Sequence, residues 1–570
     1  AAPESDRLVS VAPSAVAQTH AEAAAPAQAA ASTQAAAPAG AVAPRPGGRA
    51  PIIAGVAVAL LVLLAGATYA AGLWPAGRAA PSPTAPPATP GATTASGVTT
   101  APGVTSAPTV APTIAGATAA PAQPTEAPTV PPLPEPAGVI ALEEDFNSGG
   151  ERTGLDDRVQ DTEFSRGFHP PGVYHFLATT PGETRWAVLP RQLVGDFSMQ
   201  LEVWDNSDEF VGTVAQGVIF RVRDAAHFYA FLLDPRSGRY TVRKQDGTGA
   251  WSDIIPWKDS ALIKRGAEHN LIRLDAAGEN FTIYLNGQQL DTFSDGSYRS
   301  GMLGMLIANG DAAKPHMHFD NLVIWSADPR PPDAGLPPAR DTPAGAMVLI
   351  PGGEFVLGSN DRRDETPHVV DLPSFYIDRT EVTNAAYAAC VGDGVCTPQD
   401  PPSSQTHPNY ATQEEFANFP ALHVSWEQAN QYCTWAGKRL PTEAEWEKAA
   451  SWDSAERVKR AWPFGDQFDP VRLNSEEAGQ GDTTAVDAHD PELNGTFDMA
   501  GNVSEWTSTL YRPYPYDPSD GREDPAAAGD RVFRGGSWAQ THGKARGALR
   551  QFAPPDYVNR EIGFRCALTP

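Results

Sequence analysis

Basic side chains are the first shortage in this sequence. Lys and Arg number 42 against 68 Asp and Glu, a formal net charge of −26 and a pI near 4.8 over 570 residues. No stripe of Lys and Arg able to neutralise phosphates is present, which argues against a nucleic-acid partner. The acidic surplus suits an extracytoplasmic surface and leaves carboxylates to spare for calcium. Cysteine is also scarce: Cys390, Cys396, Cys433 and Cys566 are all there is. An even count in a region read below as exported favours two disulfides, with three connectivities open. Zinc is disfavoured there because no second close Cys or His pair accompanies Cys390 and Cys396. Aromatic and acidic residues are nearly missing before about residue 138, where Ala, Pro and Thr dominate, so only the later part can bury a core.

The early part divides by composition. Residues 1–50 form an Ala/Pro-rich arm without periodicity that is expected to be disordered. Ala rather than Met at position 1 leaves room for an upstream cytoplasmic domain. Residues 51–74 contain the uncharged run Ile52–Trp74 (IIAGVAVALLVLLAGATYAAGLW), long enough to cross a hydrocarbon core as one helix. Tyr69 and Trp74 suit the interfacial belt, and Arg45 and Arg49 before the run against Arg78 after it place the N-terminus in the cytoplasm. The C-terminal bulk would then lie outside, on a single-pass anchor in the cell membrane. Residues 75–138 are a Pro/Thr-rich stalk favouring extended polyproline conformations.

From 139 to 328 short alternating apolar runs, among them FSMQLEVW, QGVIFRVR and FTIYLNGQQL, are separated by Gly, Asp, Pro and Asn turns. This spacing predicts an antiparallel all-β sandwich, and Asn286-Gly287 predicts a two-residue type I′ hairpin turn. The block is similar to the concanavalin-like (laminin G-type) sandwiches, many of which bind carbohydrate while others are spacers. No pair of carboxylates at a catalytic spacing stands out. A linker, 329–344, follows.

In 345–570 two helices are legible from their capping boxes: Ser425 with Gln428 ahead of WEQANQYCTWA, and Thr442 with Glu445 ahead of EAEWEKAA. The rest, rich in Gly, Asp and Pro, reads as an irregular α+β domain. The runs MVLIPGGEFVLGS, FYIDRTEVTNAAYAAC, HVSWEQANQYCTWAGKRLPTEAEWEKAA, FDMAGNVSEW, RVFRGGSW and GFRCAL occur in that order. Together they resemble the signature segments of the formylglycine-generating enzyme (sulfatase-modifying factor) family, which implies a C-type-lectin-like fold for this domain.

The resemblance implies more. It pairs Cys433 with Cys566, leaving Cys390 with Cys396. It implies two calcium sites, one from Asp498, the carbonyls of Gly501 and Val503, and Glu505, the other from Asn474, the carbonyl of Ser475, and Asp482. In members that oxidise a substrate cysteine, two cysteines after RGGS hold copper as thiolates; aligned on Arg534–Ser537, this chain has Gln540 and Ala545 there, so copper is not expected. Ser504 stands where the family usually has a groove-lining Trp. Ser537, Trp538, Gln540, His542, Lys544, Arg546 and Arg550 remain as pocket candidates, and none is an evident catalytic group, since no base can be assigned to Ser537. Histidines at helical spacing with a carboxylate, as mononuclear iron would need, are not found, and His368 and His423 read as structural. The expected function is a peptide- or glycan-binding module. The alternatives are a divergent oxidoreductase or protein-modifying enzyme and a structural envelope protein.

Overall fold

The computed structural model describes residues 133–327 and 335–570, apart from 148, 151, 157, 161–163, 170–171, 179 and 313. The arm 1–50, the span 51–74 and most of the stalk lie outside the described residues. Among the described residues no helix is long and apolar enough to cross a membrane.

The alternating runs form two antiparallel sheets packed face to face. The larger runs from edge to edge as Gln288–Ser294, Asn280–Leu285, Asn270–Ala277, Phe197–Asp205, His316–Ser326, Val173–Ala178, Phe164–His169 and Arg158–Gln160, with Val139–Glu144 also pairing to His316–Ser326. The smaller runs as Trp251–Asp259, Arg239–Asp246, His227–Asp234, Val214–Asp224, Met302–Asn309 and Thr184–Val188. Inward residues of both, such as Leu201, Val203, Phe231, Ile283 and Phe319, make one core. Asn286 and Gly287 have φ of 51° and 80°, the left-handed values that the type I′ turn between Asn280–Leu285 and Gln288–Ser294 requires.

The smaller sheet departs from simple alternation. Met302–Asn309 is buried along its whole length, as is most of Val214–Asp224. The reason is a second core on its outer face, where Ile219, Ala230, Met302 and Leu306 pack against Phe355, Leu357, Val370 and Trp452 of the C-terminal domain. Polar contacts cross the same junction: Arg223 to Glu354 at 2.6 Å, Ser300 to Glu354, and Asn360 Nδ2 donating to the carbonyls of Gly154 (2.9 Å) and Val188 (3.0 Å). The two domains therefore share a core, and within the expected linker 329–344 the residues Ala339–Thr342 form a strand of the C-terminal domain, paired with Gly345–Ile350.

The C-terminal domain is mostly β with three α-helices among its described residues: α1 (Asn384–Gly392), α2 (Trp426–Trp435) and α3 (Glu443–Ser451). Both expected capping boxes are present, on α2 and α3. α1 was not foreseen; its N-cap Thr383 accepts from Ala386 N but has no acid or amide at the reciprocal position. Four-stranded sheets Ala339–Thr342/Gly345–Ile350/Phe375–Asp378/Ala567–Leu568 and Gln551–Ala553/Arg531–Arg534/Ser504–Leu510/Ile562–Gly563 complete the frame, the last pair of strands being parallel. Both disulfides form, Cys390–Cys396 and Cys433–Cys566.

Candidate functional site

The strand Arg531–Arg534 runs into Gly535 and Gly536, both with positive φ (94° and 69°). A Cβ on Gly536 would sit 2.9 Å from Ala545 N, and one on Gly535 would press on the Trp446 ring at 3.1 Å. Only glycine lets the backbone pass here, and the turn delivers Ser537 to the interior. Ser537 Oγ donates to Glu561 Oε2 at 3.2 Å, Trp538 N donates to the carbonyl of Asn502 at 2.9 Å, and the Trp538 indole reaches the carbonyl of Arg560 at 3.4 Å. Ala545 is buried, and Gln540 holds a sequestered Oε1 without a hydrogen-bond partner. The positions where the family's oxidases carry thiolates thus offer a methyl group and an amide oxygen. All four cysteines of the chain are disulfide-bonded, so no thiolate is available from elsewhere. The donor set does not fit monovalent copper.

The remaining candidates do not form a single pocket. Arg550 lies in the core: its guanidinium forks onto Glu443 at 2.6 and 2.9 Å between the rings of Tyr511 and Tyr514. It is a packing cation, because α3 turns Glu443 inward and leaves a buried carboxylate to be neutralised. Lys544 is exposed. His542 stacks on Phe468 (centroids 4.3 Å apart), and its Nδ1 lies 2.7 Å from Glu477 Oε1. Although partial burial opposes it, hydrogen bonding to His542 holds the Glu477 carboxyl down at about 2. Arg546 turns toward the sandwich and binds Asp361 and, at 3.2 Å, Glu365.

Arg546 lines a cleft of about 740 Å³ at the junction of the two domains. Gly154, Asp156 and Arg191 form its sandwich wall; Asp361, Trp462, Asp466 and Phe468 form the other. Its width is fixed by an ion pair across the junction, Arg191 to Asp466 at 2.8 Å, and by the backbone bond from Lys459 N to the carbonyl of Arg191.

The calcium ligands expected from the resemblance are only partly assembled. Asp498 is buried beside Gly501 and Val503 with Oδ2 lacking a partner and Oδ1 3.2 Å from His489 Nδ1. Glu505, however, is taken by Arg565 in a fork of two 2.7 Å bonds and by the Trp446 indole at 2.8 Å. Two acids not foreseen, Glu381 and Glu492, crowd the same place, each with one oxygen without a partner. Burial and the neighbouring Asp498 raise Glu381 well above the carboxylate range and push Glu492 up to about 8. Asp498, Glu381 and Glu492 bring hard oxygens of the kind calcium takes into one region, but their donor atoms are not gathered within 4.8 Å of one another, and Glu505 does not join them. At the second site Asn474 has a partnerless Oδ1, but Asp482 is diverted: Ser404, Thr406 and Thr483 donate to it, and despite burial these bonds hold its carboxyl below the usual range. The Ser475 carbonyl accepts from Ala478 N. Asp482 therefore ties the 404–406 loop down, a contact between residues 76–78 apart that no local pattern announces.

Comparison with known proteins agrees with this architecture. The model of the sulfatase-modifying factor enzyme 1-like domain matches residues 333–570. The formylglycine-generating enzyme of Streptomyces coelicolor is 33% identical over 290 residues, covering 40% of this chain and 91% of that one. The chain belongs to the formylglycine-generating enzyme family. Within reach of the same domain, hercynine oxygenase of Mycolicibacterium smegmatis is 34% identical over 40% of this chain and 61% of that protein. Serine/threonine-protein kinase Pkn1 of Chlamydia trachomatis is 35% identical over 39% of this chain and 38% of its own length. The chain thus spans under two-fifths of the kinase and about three-fifths of the oxygenase.

Proposed function

We propose that this chain is a ligand-binding, non-oxidising member of its family, anchored by residues 51–74 with its two domains outside the membrane, and that a polar peptide or glycan docks in the cleft between the domains. The observation that carries this reading is the chemistry at positions 540 and 545 together with the cleft. Gln540 and Ala545 cannot hold a redox copper ion. The cleft presents aromatic faces from Trp462 and Phe468 beside Arg546, Asp361 and Asp466, the mixture of stacking surface and fixed hydrogen-bonding groups that suits sugars and extended peptides. Two disulfides support an oxidising, extracytoplasmic location. Calcium held by Asp498 with Glu381 and Glu492 would neutralise buried carboxylates and brace the loops, a stabilising role.

The test is a screen of purified protein on glycan and peptide arrays, followed by titration of the hits against Trp462→Ala and Phe468→Ala. Binding weakened at least tenfold in both variants, with calorimetric unfolding little changed, is the expected result. Binding indifferent to both variants would move the site elsewhere, and no binding at all would favour a structural envelope protein. Relatives named formylglycine-generating enzyme and hercynine oxygenase favour the alternative of a divergent oxidoreductase; turnover of a cysteine peptide would establish it.

A further inference from the structure

The sandwich carries a cluster of histidines that neither the family nor the cleft explains. In Val173–Ala178 and His316–Ser326 alternate residues enter the core: Tyr174, Phe176, Met317 and Phe319 point in. His175, His316 and His318 therefore share the opposite face. His318 is the direct cross-strand partner of His175, and His316 lies two residues along the same face. Their ring nitrogens converge: His316 Nε2 is 3.1 Å from His175 Nδ1 and 3.0 Å from His318 Nε2, and one donor atom from each of the three lies within 4.8 Å of the others. All three rings are half-buried or buried, so the cluster is held in place by the sheet.

Hydrogen bonding among the three rings does not account for this arrangement. An imidazole nitrogen carries either one proton or one in-plane lone pair. His316 Nε2 faces two other nitrogens, and a single proton or lone pair makes a good bond to one of them. A cation at the common vertex satisfies all three nitrogens at once. Zinc bonds imidazole nitrogen at about 2.0–2.1 Å, which in a tetrahedron sets the donors roughly 3.3 Å apart, close to the separations here. Burial, reinforced by the neighbouring rings, lowers His175 to about 4 and His318 to about 3, so their lone pairs are free at neutral pH. An all-imidazole set selects zinc, copper(II) or nickel(II) over calcium and magnesium.

We propose that His175, His316 and His318 form a binding site for a divalent transition-metal ion, zinc in the first place, on the outer face of the sandwich. The fourth position faces solvent beside exposed His169, whose ring centroid is 5.4 Å from that of His175 and 6.2 Å from that of His318. His169 or water completes the tetrahedron. Trp204 packs edge-on against His318 at 5.1 Å and stacks on His269 at 4.1 Å, which places a fluorescent reporter at the site. This site is independent of the cleft and of the family's own chemistry.

The experiment uses untagged protein stripped with chelator and then titrated with zinc alone. One zinc per chain, a raised unfolding midpoint, and at least a tenfold loss of affinity in His316→Gln and in His175→Asn are expected. The variants should unfold at the parent's midpoint in chelator, which separates a lost ligand from a lost fold. Copper(II) gives a second readout on the parent alone: quenched Trp204 fluorescence and an electron paramagnetic resonance spectrum with at least three nitrogen couplings. A folded, stripped parent that takes up no zinc at one equivalent overturns the proposal. A copper spectrum with fewer than three nitrogens, or zinc affinity unchanged in both variants, also overturns it.

Discussion

The two described domains solve one problem in opposite ways. In the sandwich the backbone's polar groups are paired by strand ladders, and apolar side chains fill the middle. Buried charge is sparser there: Arg221 donates to the carbonyls of Gly278 and Tyr298, and Asp205 pairs with Arg236. In the C-terminal domain, where regular elements are short, side chains take over the ladder's role. Arg531 donates to the carbonyls of Ser508, Asp524, Pro525 and Ala527, and Arg565 to those of Asp378, Arg379 and Phe497. Buried cations need buried counter-charges: Glu505 meets Arg565, and α3 supplies two more acids, Glu443 for Arg534 and Arg550 and Glu447 for Arg534 and Lys459. The comparison teaches that a loop-rich fold replaces sheet hydrogen bonds with arginine, acid and disulfide, and inherits their vulnerabilities to reduction and to pH.

The sharpest way to break the contrast is chemical reduction. Cys433–Cys566 joins residues 133 apart, and in the loop-entropy account its removal by the paired changes Cys433→Ser and Cys566→Ser costs the C-terminal domain about 5 kcal/mol. Calorimetry with and without reductant should show a large fall in that domain's midpoint. Next comes Glu443→Gln, which leaves Arg534 and Arg550 buried without their shared partner; about 3–5 kcal/mol should be lost in denaturant unfolding.

Acid sharpens the comparison further. His368 is buried, and its Nε2 accepts from Tyr516 N at 2.7 Å. Burial lowers its pKa to about 4, below the value of about 6.5 expected in the unfolded chain. The unfolded state then binds the proton more readily, so this contribution is complete above about pH 6.5 and is lost as pH falls through 4, at most about 3 kcal/mol. His368→Gln should flatten the slope of stability against pH over that window in parallel urea titrations. The smallest effect belongs to the sandwich: Gly287→Val at the hairpin turn should cost about 1 kcal/mol, with the fold otherwise intact by circular dichroism.

Much of this was legible where the physics is local. Alternating runs gave the strands, Asn286-Gly287 gave a turn, and reciprocal Ser425/Gln428 and Thr442/Glu445 pairs gave two helix starts. α1 escaped because Thr383 caps it alone. The continuous run MLGMLIAN (302–309) carries the mark of a strand buried on both faces, but the sequence does not say that the second face meets the C-terminal domain. The site was least legible where partners are distant in the chain. Glu505 was a calcium ligand in expectation and is an Arg565 partner from 60 residues away; Arg550 was a pocket group and is a core cation paired over 107 residues. Helical spacing does not reveal the histidine cluster. His316 and His318 stand at the strand's period of two, and His175 joins them from 141 residues away.

With Gln540 and Ala545 at the thiolate positions and all four cysteines paired, we propose that this chain lacks copper oxidase chemistry. The direct measurement supplies purified protein with copper, oxygen and a cysteine-containing peptide, and follows oxygen uptake together with the mass of the peptide. Neither oxygen consumption nor conversion of cysteine to formylglycine is expected, under conditions where the Streptomyces coelicolor relative turns over. Conversion by this chain, with its four cysteines still paired, would contradict it.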